Sequence, residues 1–566
     1  MTHDPDSQPL GLRPGVPTEP VHGGIQAVAA ARAHGVNTMF TLSGAHVFPL
    51  YDAAVGGVSS VTAGIDGPMR LIDVRHEQTA AFAAEATGKL TRTPGLAVVT
   101  AGPGVTNTVS AITGAWINGS PMVVIGGRAP DARWGYGALQ ELDHPPLVDS
   151  VTKSAQTIHD PAGVYAGVDA AFALASSAHR GPTFVDVPMD ALFTPAIPTG
   201  VEPSIPHPKE AVGDLDLINR LIAAAARPVL VLGGDVWADG AEVAAVELVE
   251  QLQLPAIANG MARGILAPQH PCLVTRARSA AFKDADLVIV AGTAVDFRLG
   301  FGVFGDPAQP TPVIHLTDSA PTVHSRVELV AQAAGSLSVI FNAIAKAIAR
   351  PVGDPQWLPT LRATATAIIA ADDDILHSDA DPIHPARIYG DLLPRLAQDA
   401  VVIGDGGDFV SFAGRFYQPA LPGRWLDPGP YGCLGTGLGY AMAARIAHPS
   451  SQVVALLGDG AVGFSLMDVD SAVRQNLPMV IVVANNAGWG LERHPMRFLY
   501  GYDVVADLAA TSYDEIVKSL GGGGETVTHP TEIGPALDRA FAANVPYLVN
   551  VMTDPEAAYP RSTTGV

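Results

Sequence analysis

The sequence predicts three consecutive α/β domains, each a doubly wound parallel sheet. Short apolar runs rich in Val and Ile alternate with Ala-rich helical stretches along most of the 566 residues. This alternation is typical of parallel strands joined by crossover helices. Pro-rich segments interrupt it at 198–210 and again around 351–359, as linkers do. With 48% apolar and 16% charged residues, the chain can bury several cores.

The two interruptions divide the predicted elements into domains 21–197, 211–350 and 375–553. The strands expected in the first domain are TMFTLS, LIDVR, LAVVTA, MVVIGG and TFVDVP, and its helices are 46–56, 77–92, 104–118 and 162–178. Those expected in the middle domain are PVLVLGG, PAIA, LVIVAG and PVIHLT, with a last helix at 336–349. Those expected in the third domain are VVIGDGG, VVALLGDG, MVIVVANN and YLVNVMT. Residues 1–20 are expected to be a flexible leader.

Charge and composition exclude several functional classes. The formal charge of −22 opposes an extended surface that tracks nucleic-acid phosphates. Cys272 and Cys433 are too few for a disulfide framework, and the N-terminus lacks the basic and apolar regions of a signal peptide. No apolar stretch approaches the roughly 20 residues that a membrane helix needs. We therefore expect a cytoplasmic protein with no nucleic-acid or membrane partner.

Two short polar groups in the third domain predict a metal site. The GDG at 458–460 directly follows one expected strand, and the Asn pair at 485–486 directly follows the next. Because parallel strands present their carboxyl ends at one ligand-binding edge, Asp459 and Asn486 are expected to face a hard cation such as Mg²⁺, with the Gly488 carbonyl as a further ligand. A tight turn and a strand cap are the plain alternative.

The segment 458–490 resembles the diphosphate-binding motif of the thiamine diphosphate enzymes. RHEQTAAFAAEATGKLTRTPG at 75–95, TAGPGVTN at 100–107 and INGSPMVVIGG at 117–127 resemble the pyrimidine-binding domain of the acetolactate synthase and oxalyl-CoA decarboxylase branch. The resemblance covers residues from about 22 to 560 and implies pyrimidine-binding, middle and diphosphate-binding domains, in that order. It also implies thiamine diphosphate and Mg²⁺, and a homodimer or homotetramer with active sites between subunits.

The same resemblance implies roles for individual residues. Glu77 would hydrogen-bond the pyrimidine N1′ and so promote activation of the thiazolium C2, with a helix-dipole role as the alternative. Leu434 would support the bend between the two rings, with core packing as the alternative. The other implied cofactor-binding residues, in addition to Asp459, Asn486 and Gly488, are Gly104, Gly406, Asp408, Gly458, Gly460 and Ala461.

Departures from the family's patterns narrow the reaction. Acetolactate synthases carry a bulky Trp where this chain has Pro495, and Glu492 replaces an apolar residue nearby. Gln140 matches acetolactate synthases and 2-hydroxyacyl-CoA lyases, whereas oxalyl-CoA decarboxylases have a Tyr-Glu pair. The run 276–302 resembles acyl-CoA-handling members. The run 42–50 resembles 2-hydroxyacyl-CoA lyases once labelled acetolactate synthase-like.

We therefore expect a 2-hydroxyacyl-CoA lyase that cleaves the C1–C2 bond through a thiamine diphosphate carbanion. The products would be formyl-CoA and an aldehyde or ketone, for instance acetone from the short branched 2-hydroxyisobutyryl-CoA. Its proton transfers need acid–base groups, and His46, Gln140 and Glu492 are the candidates besides Glu77. The alternatives are a hydrogen-bonded loop histidine, a surface glutamine, and a glutamate paired with its neighbours 493 or 494.

The resemblance implies a nucleotide in the middle domain, where acetolactate synthases hold FAD and oxalyl-CoA decarboxylases hold ADP. We expect ADP rather than FAD, and FAD, if present, would be structural because the net reaction is not a redox step. Arg278, Arg298 and Asp318 are the candidate nucleotide- or CoA-binding residues, with solvated loop charges as the alternative. CoA is expected between the middle and third domains. The C-terminal residues 554–566 would form a closing lid or a frayed tail.

Three other functions stay open from the sequence alone. They are an acetolactate synthase that condenses two pyruvates, an oxalyl-CoA decarboxylase, and a catalytically silent partner subunit that only binds a cofactor. Rapid acetolactate formation from pyruvate would favour the first. The presence of Glu77, Asp459 and Asn486 opposes the last.

Overall fold

A computed structural model of the chain describes residues 16–56, 68–200, 211–321, 323 and 325–560. The chain divides into two compact units, Met1–His207 and Pro208–Val566. Among the described residues, the first unit contains one six-stranded sheet, and the second contains two six-stranded sheets and a two-stranded ribbon. Parts of the predicted leader, linker and lid lie outside the described residues, at 1–15, 201–210 and 561–566.

The first unit is built on a parallel sheet. Its strands are β1 (Thr38–Thr41), β2 (Arg70–Asp73), β3 (Gly95–Val99), β4 (Met122–Arg128), β5 (Ala155–Thr157) and β6 (Pro182–Pro188). The strand order is β2-β1-β3-β4-β6-β5. Every residue of β4 and β6 is buried, which explains why both sequences are mostly apolar and do not expose a polar face. The short edge strand β5 has no such signal.

Helices connect these strands. They are α1 (Gly23–Ala33), α2 (Phe48–Ala54), α3 (Glu77–Thr91), α4 (Pro103–Thr106), α5 (Val109–Asn118), α6 (Pro145–Val148), α7 (Val164–Ser176) and α8 (Met189–Phe193). The Nδ1 atom of His76 accepts the N–H of Gln78 at 3.1 Å and caps α3, so Glu77 is its first residue. The predicted helix 104–118 is divided into α4 and α5, and Asn107 lies in the break.

The middle sheet of the chain begins the second unit. Its strands are β7 (Val212–Gly213), β8 (Pro228–Leu232), β9 (Ala256–Ala258), β10 (Leu287–Ala291), β13 (Val313–Thr317) and β14 (Leu329–Ala334), and the separate ribbon is β11 (Gly305–Asp306) with β12 (Gln309–Pro310). The order is β7-β14-β13-β10-β8-β9. All neighbours are parallel except β7, which runs antiparallel to β14 at the edge. The predicted strands are all present.

The third sheet repeats the strand order of the first. Its strands are β15 (Val401–Asp405), β16 (Trp425–Leu426), β17 (Val453–Gly458), β18 (Val480–Asn485), β19 (Gly523–Val527) and β20 (Tyr547–Met552). They are all parallel, in the order β16-β15-β17-β18-β20-β19. The chain leaves β15 toward β16 and then returns to β17 on the other side. A crevice is therefore expected outside the carboxyl ends of β15 and β17.

The helices of the second unit cover both of its six-stranded sheets. They are α9 (Leu215–Ala224), α10 (Gly234–Ala238), α11 (Glu242–Leu252), α12 (Arg278–Asp284), α13 (Leu337–Ala347), α14 (Trp357–Ala371), α15 (Asp373–Leu376), α16 (Ala386–Leu392), α17 (Asp408–Phe416), α18 (Thr436–Ala447), α19 (Asp459–Val462), α20 (Val469–Arg474), α21 (Gly490–Tyr500), α22 (Tyr513–Ser519) and α23 (Ile533–Ala542). Each sheet has its own apolar core. Within the described residues, no helix has the length and apolar character to cross a membrane.

Candidate functional site

A cavity of about 270 Å³ lies at the carboxyl edge of the third sheet. The loops after β15, β17 and β18 form much of its wall, where the strand order predicts a crevice. The predicted site residues that line it are Gly406, Asp408, Leu434, Gly458, Asp459, Gly460, Ala461, Asn486, Gly488 and Glu492. All the site residues predicted in the third domain are therefore brought to one cavity.

Asp459 is a buried acid on the cavity wall. It is 3% exposed and begins α19 directly after β17. Its Oδ2 accepts the N–H of Gly488 at 3.0 Å, and its Oδ1 accepts the N–H of Gly460 at 3.0 Å. Burial raises the pKa of Asp459 to about 6, and these two N–H groups partly offset that increase. A cation bound beside this carboxylate would stabilise its charged form.

The two asparagines after β18 have different surroundings. Asn485 is fully buried, and its Nδ2 donates to the Thr511 carbonyl at 3.0 Å and to Oδ1 of Asn550 at 3.1 Å. Its Oδ1 accepts the N–H of Ala487 at 3.2 Å. Asn486 instead lines the cavity. The first asparagine therefore holds the turn, and the second presents a side chain that can bind a cation.

Arg493 supports the loop that carries Asn486 and Gly488. Its guanidinium is buried, donates to the Ala487 carbonyl at 3.1 Å and pairs with Asp507 at 3.0 Å. A Cβ atom at Gly488 would lie 2.0 Å from Nη2 of Arg493 and 2.8 Å from the carbonyl oxygen of Ala506, so only glycine fits at this position. The sequence patterns do not single out this arginine, which became visible only through its burial.

Leu434 lies on the cavity wall in the loop that precedes α18. The N–H groups of Gly435 and Gly437 both donate to Oδ2 of Asp405, at 3.0 and 2.8 Å. Asp405 is the last residue of β15 and is fully buried. Burial raises its pKa to about 7. Sequence reasoning missed Asp405, although it lies inside the predicted strand VVIGDGG, directly before the predicted residue Gly406.

Glu492 lies at the exposed rim of the cavity, in the first turn of α21. Its carboxylate makes no hydrogen bond or ion pair with any residue in the part of the chain that the structure describes. Arg493 binds Ala487 and Asp507 instead, so the alternative of a paired, structural Glu492 is not supported. Pro495 lies inside the same helix.

Glu77 and Asn107 form a hydrogen-bonded pair in the first unit. Glu77 is 7% exposed, and its Oε2 accepts Nδ2 of Asn107 at 2.9 Å. Asn107 lies in the break between α4 and α5, at the end of the TAGPGVTN segment that the sequence singles out. Gly104, also from that segment, is buried in α4, where a Cβ atom would lie 2.8 Å from Thr100. The break in the predicted helix thus provides a partner for Glu77.

His46 and Gln140 meet at Thr100. His46 follows β1 and Thr100 follows β3, the strands on either side of the first sheet's switch point. The Thr100 Oγ1 lies 3.0 Å from Nδ1 of His46 and 3.4 Å from Oε1 of Gln140. Burial lowers the pKa of His46 and so favours its neutral form. Gln140 has a φ of 60°, a conformation uncommon outside glycine.

The three candidates in the middle domain lie near the carboxyl ends of β10 and β13. The guanidinium of Arg298 pairs with Asp296 at 2.7 Å. The Nη2 of Arg278 donates to the Arg298 carbonyl at 2.9 Å, and burial lowers the pKa of Arg278. Asp318 directly follows β13 and is 3% exposed. The two arginines therefore meet, and neither they nor Asp318 are simple solvated loop charges.

Family models match all three sheets of the chain. They describe the N-terminal TPP binding domain, the central domain and the C-terminal TPP binding domain of thiamine pyrophosphate enzymes, and they match residues 22–147, 215–343 and 405–551. The chain belongs to the thiamine pyrophosphate enzyme family. In this thiamine pyrophosphate enzyme, the C-terminal match contains Asp459 and Asn486, and the N-terminal match contains Glu77.

Relatives of this thiamine pyrophosphate enzyme carry two kinds of name. The chain is 45% identical over 551 residues to a probable acetolactate synthase from Mycobacterium bovis (strain ATCC BAA-935 / AF2122/97), covering 96% of this chain and 98% of the relative. It is 45% identical, with the same coverage, to an acetolactate synthase large subunit from Mycobacterium tuberculosis (strain ATCC 25618 / H37Rv). It is 32% identical over 560 residues to 2-hydroxyacyl-CoA lyase 2 from Homo sapiens, covering 90% of this chain and 86% of the relative.

The cavity fits the diphosphate end of the family's cofactor. A Cβ atom at Gly458 would meet nothing within 4 Å, so the backbone there borders open space that a diphosphate can approach closely. At Gly460, a Cβ atom would lie 2.3 Å from the ring of Trp489. Glycine at this position therefore allows the tryptophan ring to pack against the backbone on the cavity wall. The oxygen donors of Asp459 and Asn486 suit a hard divalent cation.

Proposed function

We propose that this enzyme is a 2-hydroxyacyl-CoA lyase that releases formyl-CoA and an aldehyde or ketone. The negative charge of Glu492 at the cavity rim carries this proposal. The other acidic residues of the cavity lining are Asp408, Asp459 and Asp554, of which Asp459 is assigned to the metal, and none of the lining residues in the described part of the chain is Lys or Arg. A 2-hydroxyacyl thioester is neutral at its reacting end, and such a lining accepts it without an unpaired charge.

Pyruvate differs from the proposed substrate by a carboxylate next to the reacting carbonyl. Glu492 lies at the cavity rim and is not assigned to the metal, so its negative charge would repel that carboxylate. The charge of Glu492 is available for this repulsion, because the side chain is exposed at the rim and makes no ion pair with a described residue. Pro495 adds to the argument, since a bulky Trp is expected at this position of an acetolactate synthase.

The proposed reaction needs one proton removed and one returned. The substrate hydroxyl loses its proton, the C1–C2 bond breaks, and C1 gains a proton, so the atoms balance without an oxidant. Thiamine diphosphate, when bound, supplies the nucleophilic carbon that adds to the thioester carbonyl. We assign to Glu77 the hydrogen bond that activates the pyrimidine. Glu492 accepts the hydroxyl proton, while neutral His46 and Gln140 orient the substrate carbonyl through hydrogen bonds.

The proposal extends to the cofactors, the domains and the assembly. Mg²⁺ is bound by Asp459, Asn486 and the Gly488 carbonyl, and the diphosphate lies against Gly458, Gly460 and Ala461. The pyrimidine-binding, middle and diphosphate-binding domains are 21–197, 211–350 and 375–553. The enzyme acts in the cytoplasm as a homodimer or homotetramer in which Glu77 of one subunit serves the cavity of another.

The proposal also assigns nucleotide binding to the middle domain. Arg278, Arg298 and Asp318 bind ADP, or the nucleotide part of CoA, rather than FAD. The salt bridge from Arg298 to Asp296 leaves Arg278 as the better phosphate ligand, because the described hydrogen bond of the half-buried Arg278 is to a backbone carbonyl and not to an acid. The C-terminal residues 554–560 close over CoA, and the rest of the predicted lid, 561–566, lies outside the described residues.

A second candidate is an acetolactate synthase, and it is favoured by the 45% identity to mycobacterial proteins of that name. The two activities have different products from different substrates, so one comparison separates them. The purified protein is incubated with thiamine diphosphate and Mg²⁺, either with a panel of 2-hydroxyacyl-CoA thioesters or with pyruvate. Formyl-CoA release without acetolactate supports the lyase, and rapid acetolactate formation without formyl-CoA overturns it.

A further inference from the structure

The side chain of Asp405, which ends strand β15, caps the N-terminus of helix α18. Helix α18 begins at Thr436, and Gly435 before it has a φ of 89° and no side chain to cap the helix. The first turn of a helix leaves backbone N–H groups without partners. Oδ2 of Asp405, at the end of β15, accepts the N–H groups of Gly435 and Gly437 at 3.0 and 2.8 Å.

The same contact fixes the peptide that carries Leu434. The N–H of Gly435 and the carbonyl of Leu434 belong to one rigid peptide plane, so Asp405 fixes the orientation of that plane directly. A Cβ atom at Gly437 would lie 3.2 Å from Oδ2 of Asp405 and 2.4 Å from Leu457. Glycine at 437 therefore leaves room for the carboxylate beside the helix terminus.

Asp405 also adjoins a second part of the cavity wall. Gly406 and Gly407 follow it directly and line the cavity, and Gly406 has a φ of 119° that favours glycine. One buried side chain therefore links two segments of the wall that are separated along the chain. Its other oxygen, Oδ1, is buried without a well-formed hydrogen bond in the described structure, so keeping a carboxylate here has an energetic cost.

We propose that Asp405 is a positioning residue that sets the height of Leu434 beneath the two rings of the bound cofactor. It acts through the backbone of Gly435 and touches no reacting atom. This inference rests on the proposed role of Leu434 and not on the identity of the acyl-CoA substrate. Metal and diphosphate binding depend on residues after β17 and β18, so they should be largely independent of Asp405.

The test compares Asp405→Ala and Asp405→Asn in the full-length protein. The first readout is the rate at which the C2 proton of bound thiamine diphosphate exchanges with deuterium, measured by NMR after acid quenching. The second is the Kd for thiamine diphosphate at saturating Mg²⁺, followed through the fluorescence of Trp489 on the cavity wall. The third is amide hydrogen exchange over residues 430–440 in the protein without cofactor.

Asp405→Ala is expected to slow C2 exchange by at least about tenfold, because small displacements of positioning groups have effects of that size. Amide exchange should rise at Gly435 and Gly437, while the Kd should change by less than about threefold. Asp405→Asn keeps an acceptor oxygen for both amides and should stay close to the unmodified protein. Asp405→Ser, which is too short to reach both amides, replaces the alanine variant if that one does not fold.

Asp214→Ala is the matched control. Asp214 caps α9 through the N–H of Leu217 at 2.8 Å and lies in the middle domain. Its loss should lower thermal stability without slowing C2 exchange. The inference is overturned if Asp405→Ala exchanges C2 at the normal rate, or if its Kd rises as much as its exchange slows. If the unmodified protein forms no formyl-CoA but C2 exchange still depends on Asp405, the lyase assignment fails and this inference stands.

Discussion

The N–H of Gly488 donates to Oδ2 of Asp459 across 3.0 Å and joins the ends of two neighbouring strands, β17 and β18. This bond holds the Asn486 turn against the buried acid. It also leaves the Gly488 carbonyl as a possible metal ligand, since the N–H and not the carbonyl is used. The two sequence groups that predict a metal site are therefore in direct contact.

Asp459→Asn should weaken Mg²⁺-dependent binding of thiamine diphosphate by at least about tenfold. Loss of a side chain that only supports a metal ligand lowers metal affinity by about that factor, and removal of the negative charge of a ligand should lower it at least as much. Isothermal titration at several Mg²⁺ concentrations measures the change. Asp468→Asn is the control, because Asp468 bonds Ser471 and does not line the cavity. Equal weakening in both variants would contradict the metal assignment.

Asn486→Ala and Asn485→Ala should affect different properties of the protein: the first cofactor binding, and the second stability. The first should lose metal-dependent cofactor binding with little change in stability, because Asn486 lines the cavity. The second should reduce the free energy of unfolding by about 1–3 kcal/mol, because buried hydrogen bonds to Thr511 and Asn550 are lost. Denaturant unfolding and cofactor titration distinguish the two. A purely structural Asn486 would reverse the expected pattern for that variant.

Glu77→Gln should reduce turnover by at least about hundredfold, the scale of acid–base catalysis, and should leave cofactor affinity nearly unchanged. Its matched control is Glu85→Gln on the same helix. Glu85 is also buried but accepts Nδ2 of Asn118 at 2.8 Å, so its replacement should affect stability rather than C2 exchange. Measurement of C2 exchange in both variants tests whether Glu77 activates the cofactor. Normal exchange in Glu77→Gln would rule out the activating role.

Glu492→Gln should lower kcat for formyl-CoA release by about hundredfold, with a smaller change in KM. The amide keeps the shape of the side chain but cannot accept the hydroxyl proton. Glu515→Gln, at an exposed glutamate paired with Lys518, is the control for a simple change in surface charge. If Glu492→Gln retains full turnover, this residue has no part in the proton transfer.

The cofactor-free protein should lose stability as the pH falls from about 6.5 to about 4, partly because of His448. Burial and Arg424 lower the pKa of His448 from 6.5 to about 4 in the folded protein. The unfolded chain therefore takes up a proton over that interval and the folded chain does not, so unfolding becomes easier at lower pH. Above pH 6.5 this contribution is constant. Unfolding curves of His448→Gln should have a shallower pH dependence, and an unchanged slope would contradict this account.

Local patterns in the sequence predict the sheets and much of the site. Val- and Ile-rich runs identify the central strands because those strands are buried on both faces. Glu77, Asp459 and Asn486 are predictable because each directly follows a recognisable element or motif. Short edge strands such as β16 and β5 carry no such signal, since two or three residues are too few for a periodic pattern.

Contacts between distant segments are not predictable in this way. Asp405 receives its hydrogen bonds from Gly435 and Gly437, and nothing in the residues around position 405 indicates that partnership. The pairing of Asn107 with Glu77 depends on a break that falls among the weak helix formers Thr106, Asn107 and Thr108, but their sequence does not show which of them meets the glutamate. In both cases a contact between distant segments decides which groups are paired.

The close packing of Arg493 against Gly488 has an evolutionary consequence. A side chain at position 488 would clash with the guanidinium and also with the carbonyl oxygen of Ala506, at 2.8 Å, so replacing the arginine alone does not free this position. In related proteins, a smaller residue in place of the arginine should therefore leave the glycine unchanged. A side chain at position 488 of a relative would mark a turn after β18 that has been rebuilt during divergence together with the segment that carries Ala506.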